Sequence, residues 1–312
     1  MADFRLPPFP RGWYLIGLSD EIEAGMVHPL RCFDRDIVLY RGESGIIHVF
    51  DAFCPHLGAH LGHGGVVHGD SLRCPFHGWR FGSTGECIEI PYSDRIPAKA
   101  RLGRWPAHEA SGLVLVYYDE AGAPPAFEPA VPPAGDGEWT PARVLRWEVR
   151  AHVQDLVEGG VDTPHLQFVH QASGVDPCEI EVAGAELRCH TRACFGPQGM
   201  STDAYMVCRG LGYVATHLVN PSMEARSVLL PTPVSANTVD VRVLLSVRAH
   251  PNPRATAAIE EAFASGFIED FESDRRIWEH KTYQRHPVLC PGDGPIAAFR
   301  RWAGQFYPSE RA

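Results

Sequence analysis

Two Cys/His pairs carry the most specific chemistry in the chain: Cys54-Pro-His56 and, after seventeen intervening residues, Cys74-Pro-Phe-His77. Each pair offers one thiolate and one imidazole. Two thiolates on one iron and two imidazoles on the other hold a [2Fe–2S] cluster, and neutral imidazole in place of thiolate raises its reduction potential. Zinc is the competing reading. Structural zinc knuckles space their ligands Cys-x2–4-Cys or His-x3–5-His. Here each arm mixes Cys with His, and the first has one intervening residue. The Pro and Gly of CPHLGAH and CPFHGW suit tight loops. Backbone N–H groups in such loops point at the sulfurs. His60, His63 and His68 lie between the arms and read as loop residues. Trp79 is expected to pack beside the cluster.

A second cluster of ligand types follows: Asp162-Thr-Pro-His165-Leu-Gln-Phe-Val-His170. Two histidines and one carboxylate form a facial triad that leaves positions open on a mononuclear iron. His165 and His170 stand about 140° apart on an ideal helix. They converge on one ion only if a π-bulge or a helix end intervenes. The third ligand is sought on a later helix, where Phe263, Phe267, Phe271 and Trp278 form an apolar stripe. Asp270 and Asp274 fall on that stripe, and Glu272 points away. A carboxylate on a buried face is costly unless it is paired or binds metal. Asp274 is nearer the stripe's centre and is the expected ligand; Asp270 is the alternative, or else an inward hydrogen-bonding partner.

These residues need two scaffolds. Residues 12–120 read as short strands and turns: Trp13–Gly17, Asp36–Tyr40, Ile46–Phe50, Ser71–Arg73, Trp79–Phe81 and Leu113–Tyr118. Residues 121–141 are rich in Pro, Gly and Ala and read as a linker. The expected organisation is therefore α+β: an all-β cluster domain over 1–120, the linker, and a catalytic domain over 142–312. In the latter, Arg143–Arg150 alternates like a strand. Residues 154–170 read as helix interrupted near Pro164, with Thr163 as N-cap. Segments near 178–195, 203–219, 225–234 and 237–248 are strand-like, and Ala257–Tyr283 is one long helix. Met200, Met206, Val207, Leu211, Leu229, Leu230 and Leu244 are candidates to line an apolar pocket.

Composition limits the partners. A formal charge of −10 argues against non-specific nucleic-acid binding. The odd count of nine cysteines suggests no disulfide framework, and with thiolate ligands it favours a reducing cytoplasm. MADFRLPPFPRGWYLIG lacks the apolar run of a signal peptide. No stretch approaches a transmembrane span of about 18 apolar residues.

CPHLGAH, CPFHGW and D-x2-H-x4-H together resemble the catalytic component of Rieske non-heme iron oxygenases. The stretch CPFHGWRFGSTGECIEIPYSDRIPAKARLGRWPAHEASGLVLVYYD and the tail IWEHK…HPVLCPGDGPI…FRRW…QFY are similar to the branch of cholesterol 7-desaturases and 3-ketosteroid 9α-hydroxylases. The resemblance implies a Rieske [2Fe–2S] domain and a helix-grip (START-like) catalytic domain with Fe(II). It further implies a homotrimer and electrons from NAD(P)H through a flavin reductase or ferredoxin. In such a family Asp162 bridges a cluster histidine of one subunit to an iron-ligating histidine of its neighbour; a plain helix cap is the alternative. The substrate implied is sterol- or steroid-like and hydrophobic, oxidised with O2. Another polycyclic or natural-product scaffold is the second reading, and an electron-transfer protein with a lipid-binding domain the third. The chain departs from the branch at Gly159, where an Asn is usual, and in lacking the animal enzymes' membrane anchor.

Overall fold

The structure is a computed structural model that describes residues 6–132, 137–196 and 198–308. It divides into two compact units, one over Trp13–Val131, the other combining the chain up to Gly12 with that from Pro132 onward.

The first unit is built of short antiparallel strands in three sheets. Gly12–Leu18 pairs with Leu113–Tyr118, which pairs with Ala107–Ala110. Val27–Cys32, Arg35–Arg41 and Ile47–Asp51 form the second sheet. Val66–His68, Ser71–Arg73, Arg80–Phe81 and Cys87–Glu89 form the third. The Cys54 arm leaves the end of Ile47–Asp51, and the Cys74 arm is the connection between Ser71–Arg73 and Arg80–Phe81. Tyr40, Phe50, Leu61, Leu72 and Phe81 pack with Cys54 and Cys74 in one buried cluster. The loops that carry the ligands are thus anchored in the unit's own core.

The second unit is an antiparallel sheet with a long helix against it. In sheet order the strands are Arg143–Val149, Thr238–Val247, Met223–Ser235, Val214–Asn220, Met200–Arg209, Glu186–Phe195 and Gly174–Val175; Glu179–Ala183 also pairs with Glu186–Phe195. The helices are α1 (Val153–Glu158), α2 (Thr163–Phe168), α3 (Pro253–Trp278) and α4 (Ile296–Gly304). This is the expected helix-grip arrangement. α3 starts four residues before the sequence reading and ends five before it. Asn252 caps its first turn, accepting the Arg254 N–H at 3.0 Å, and Pro253 opens it. The segment expected as one strand over 178–195 is a hairpin that turns at Gly184, φ +58°.

Three expectations need correction. The first domain does not begin at residue 1, because residues before Trp13 join the second unit: the Arg11 N–H donates to the Phe306 carbonyl at 2.7 Å, and a His152 ring nitrogen lies 3.1 Å from the Pro7 carbonyl. The start of the linker belongs to the first unit, since the Trp13 indole donates to the Phe127 carbonyl at 2.7 Å; residues 133–136 of that linker lie outside the described residues. Finally, Cys178 and Cys189 are joined as a disulfide. The register puts Ile180 opposite Cys189, so the hairpin brings the two cysteines together. Spacing alone gave no sign of that pairing.

A buried polar network ties α1 to the C-terminal arm. Every residue of α1 is buried, including Gln154, Asp155 and Glu158. Arg300 donates two hydrogen bonds of 2.7 Å to the Glu158 carboxylate and lies over the Tyr283 ring. Lys281 pairs with Asp155 at 3.0 Å, and the Gln154 amide bonds Tyr283 and Tyr307. Removing one partner of such a pair strands the other charge in the interior. Arg300→Met is therefore expected to lower unfolding free energy by about 3–5 kcal/mol, read from urea denaturation. A loss below about 1 kcal/mol, the scale of an exposed pair, would mean that water reaches Glu158.

Candidate metal centres

The two cluster arms differ in spacing but share one backbone turn. In the first, the Gly58 N–H donates to the Cys54 carbonyl at 2.9 Å and the Cys54 N–H to the Ala59 carbonyl at 2.9 Å. In the second, the Gly78 N–H donates to the Cys74 carbonyl at 3.2 Å and the Cys74 N–H to the Trp79 carbonyl at 2.8 Å. Gly58 and Gly78 close these turns at φ +76° and +72°, a region that glycine enters without strain. The His56 and His77 rings meet at 4.6 Å, edge to face. Trp79 stacks on His56 at 4.6 Å, and Tyr92 holds its indole N–H at 2.8 Å. His60 accepts the Gly62 N–H and packs on His63, a local loop role.

The donor set fits an iron–sulfur group. Cys54 and Cys74 are buried. Burial pushes the Cys54 thiol up to about 11, with the neighbouring Cys74 adding to it and the His56 backbone N–H opposing it. A thiol so placed at Cys54 stays protonated unless a metal takes the proton's place. His56 Nδ1 is buried without a hydrogen-bond partner.

The second centre lies where α1 and α2 break. A short 3-10 turn, Gly159–Val161, separates them, and α2 ends at Phe168. The helix cap is Asp162, one residue earlier than expected, with Thr163 and Pro164 in the first turn. The helix end lies before His170, and Gln171 at φ +58° turns the chain back. His165 and His170 thereby meet with ring centroids 5.0 Å apart. Donor atoms of His165, His170 and Asp274 all lie within 4.8 Å of one another. The His165 Nδ1–H bonds the Asp162 carbonyl, which leaves Nε2 free for a metal.

His170 separates the two candidate carboxylates. Its Nε2 lies 3.2 Å from Asp274 Oδ1. Asp270 Oδ1 is equally near Nδ1, but off the direction of a good hydrogen bond, so Nδ1 also counts as an unsatisfied buried atom. Asp270 is 60% exposed and Asp274 19%. Glu272 is turned to the Trp147 indole at 2.8 Å, away from the centre. Burial pulls the His170 pKa down, but the two neighbouring carboxylates, Asp270 and Asp274, outweigh it and lift it to about 9. The Asp162 side chain makes no cap hydrogen bond, so the plain-cap role is not used.

The centre opens into a cavity of about 630 Å³ between the sheet and α3. Phe263, Phe267, Phe271 and Trp278 form one wall. Of the pocket residues expected from sequence, Met200, Met206 and Leu229 line it. Val207, Leu211, Leu230 and Leu244 do not; Val207 and Leu230 adjoin lining residues and turn to the other face. Thr191, Thr202, Thr216, Asn220 and Ser227 were missed, although strand alternation beside the expected residues could have found them.

Iron held by this triad would take ligands from both α3 and the α2 region. Asp274→Ala is expected to lose the mononuclear iron while the cluster's electron paramagnetic resonance signal persists; Asp270→Ala retains most of that iron. The reverse pattern would move the ligand to Asp270. In iron-free protein, anaerobic Fe(II) uptake strengthens as pH rises towards 9, because the metal displaces a proton from His170.

Residues 12–100 match the Rieske [2Fe–2S] domain, and residues 116–307 match the 3-ketosteroid 9α-hydroxylase C-terminal domain. A probable 3-ketosteroid-9-alpha-monooxygenase oxygenase component of Rhodococcus rhodochrous is 32% identical over 98% of this chain and 82% of its own length. A cholesterol 7-desaturase of Bombyx mori is 32% identical over 96% of this chain and 70% of its own. Among solved structures, dicamba monooxygenase bound to dicamba superposes with a TM-score of 0.73 at 19% identity, covering 95% of this chain and 96% of that one. The chain belongs to the Rieske non-heme iron oxygenases, in the branch defined by the 3-ketosteroid 9α-hydroxylase C-terminal domain.

Proposed function

We propose that this chain is the terminal oxygenase that oxidises an unactivated C–H bond of a sterol or steroid-like molecule, by hydroxylation, desaturation or methyl oxidation. One observation carries the reading: the His165–His170–Asp274 group faces a cavity of about 630 Å³ walled by three phenylalanines and a tryptophan. That volume lies within the range of small-molecule sites, which are mostly apolar with a few placed polar groups. The steroid-active relatives of about one-third identity support the substrate class.

The family's cofactors are a [2Fe–2S] cluster and Fe(II), with electrons from a separate reductase component. Cys54, His56, Cys74 and His77 are proposed to hold the cluster, and His165, His170 and Asp274 the iron. Bound there, the iron supplies oxygen activation. The apolar walls exclude water and orient the substrate. The Asp162 carbonyl fixes the His165 tautomer, and its carboxylate is proposed to link a cluster histidine of a neighbouring subunit to the iron site. That role requires a homotrimer or another closed ring. No helix among the described residues is long and apolar enough to cross a membrane. The need for free thiols at Cys54 and Cys74 supports a cytoplasmic setting.

Single turnover tests the function. Chemically reduced protein with testosterone or cholesterol under isotopically labelled oxygen is expected to give a labelled alcohol or a new alkene. Metal analysis is expected to find one iron beyond the two of the cluster. A cluster-only iron content with no product would make the chain an electron carrier with a lipid-binding domain.

Electron transfer between subunits has its own test. Asp162→Asn is expected to keep its iron and normal cluster reduction by dithionite, yet turn over about 100-fold more slowly. Homotrimers of Cys74→Ser or of His170→Ala are expected to be inactive, and re-formed mixtures of the two partly active. No recovery despite proven subunit exchange would confine electrons to one chain.

A further inference from the structure

We infer that Thr216 and Ser227 determine specificity: their two hydroxyls, paired on the sheet floor of the cavity, hold one acceptor oxygen on the ring skeleton of the substrate. The inference rests on the reading of the cavity as the substrate site and deepens it.

The two residues are direct neighbours across strands. Thr216 on Val214–Asn220 stands opposite Ser227 on Met223–Ser235, which brings their Cβ atoms to about 5 Å. Both line the cavity. Met206 continues the row on the next strand, opposite Thr216. Its side chain packs so closely on Gly160 that a Cβ there has no room. Gly160 lies two residues before Asp162. The pair is thus one strand beyond the side chain that touches the segment leading into the metal triad.

The other polar groups of this floor are engaged within it. The Thr202 hydroxyl accepts the Asn220 amide N–H at 3.4 Å, and the Asn220 carbonyl oxygen accepts the Ser222 N–H at 2.9 Å. The Thr191 hydroxyl has the Cys189 sulfur at 3.7 Å. Among the described residues, neither the Thr216 nor the Ser227 hydroxyl has a hydrogen-bond partner. Ser227 is only 7% exposed, and the surface it keeps faces the cavity. A buried hydroxyl left unpaired is costly. Water meets that need in the free site, and a ligand that displaces the water must reproduce its bonds or lose affinity. Each hydroxyl donates one hydrogen, and a carbonyl or alcohol oxygen has two lone pairs to receive them. A bare hydrocarbon strands both donors. Two placed polar groups in a mostly apolar site are what fix a ligand's orientation.

Equilibrium binding to the iron-loaded full chain tests this. The probes are the four-ring hydrocarbon androstane, its mono-ketones with the oxygen at either end, the matching alcohols, and the two-ring pair decalin and decalone. Thr216→Val with Ser227→Ala keeps the shapes and removes both hydroxyls. This double variant is expected to lose about tenfold or more in affinity for an oxygenated steroid. Androstane binding is expected to stay within about twofold or to tighten, with iron content and melting temperature unchanged. Each single variant is expected to lose about fivefold, so the test survives if the double variant misfolds. Thr216→Ser, which keeps the hydroxyl, should hold the same ligand within about twofold. The probe that loses most identifies the group as ketone or alcohol and the end of the skeleton that carries it. No loss for any oxygenated steroid, or equal losses for these and androstane, overturns the inference. Wild type that rejects every steroid yet takes decalone, with a loss in the double variant that decalin does not share, sinks the steroid reading alone. Wild type that takes neither set overturns both.

Discussion

His170 stands between Asp270 and Asp274, with 3.2 Å to each, at the edge of a cavity lined mainly by aromatic and aliphatic side chains. Charged groups in such surroundings are costly unless they are paired or bind a metal. The chain meets that demand by geometry. Asp270 and Asp274 are four residues apart on α3 and so share a face. His165 and His170 share a short break in the chain. Without metal, a proton on His170 holds the group together, and the imidazole pKa of about 9 expresses that pairing. With metal, the same carboxylates face a cation. The site is therefore organised for positive charge in either state.

Holding α2 at that position is the task of segments remote in sequence. α1 is buried on all its residues and carries three polar side chains inward, which meet partners from the C-terminal arm. The arm also comes so close at Gly294 that no Cβ fits against the Val161 carbonyl, just before Asp162. The residues before Trp13 add a third contact through Pro7 and His152, the N-cap of α1. A loop that presents ligands is mobile unless such contacts over-determine it. Here the C-terminal arm closes on the turn before Asp162, and the N-terminal segment on the start of α1.

What could be read from sequence was the chemistry that is local. Cys54, His56, Cys74 and His77 declare themselves because cluster loops need fixed spacing, Pro and Gly. The five-residue gap between His165 and His170 demanded a π-bulge or a helix end, and the end of α2 at Phe168 supplies the latter. The Phe263–Trp278 stripe chose α3 and limited the carboxylate to two residues; only burial and the geometry around His170 distinguished them. Non-local features were not legible. Nothing in Glu158 or Arg300 announces a pair separated by 142 residues. The Cys178–Cys189 link depends on hairpin register. The N-terminal segment's unit depends on backbone bonds to residue 306, which carry no side-chain signature.

The two centres solve opposite problems with the same device, a regular element stopped at a chosen residue. Burial makes the Cys54 thiol resist deprotonation, so the free energy of a cluster bound by the two arms would be coupled to the stability of a unit whose core includes Cys54 and Cys74. Left-handed glycines at 58 and 78 bend each arm back on its cysteine. The mononuclear site instead uses the break between α1 and α2. The Asp162 carbonyl there orients His165. The Asp162 side chain is left unused by the helix it precedes. A cap residue freed from capping is available for another role, which the proposed link to a neighbouring subunit would use.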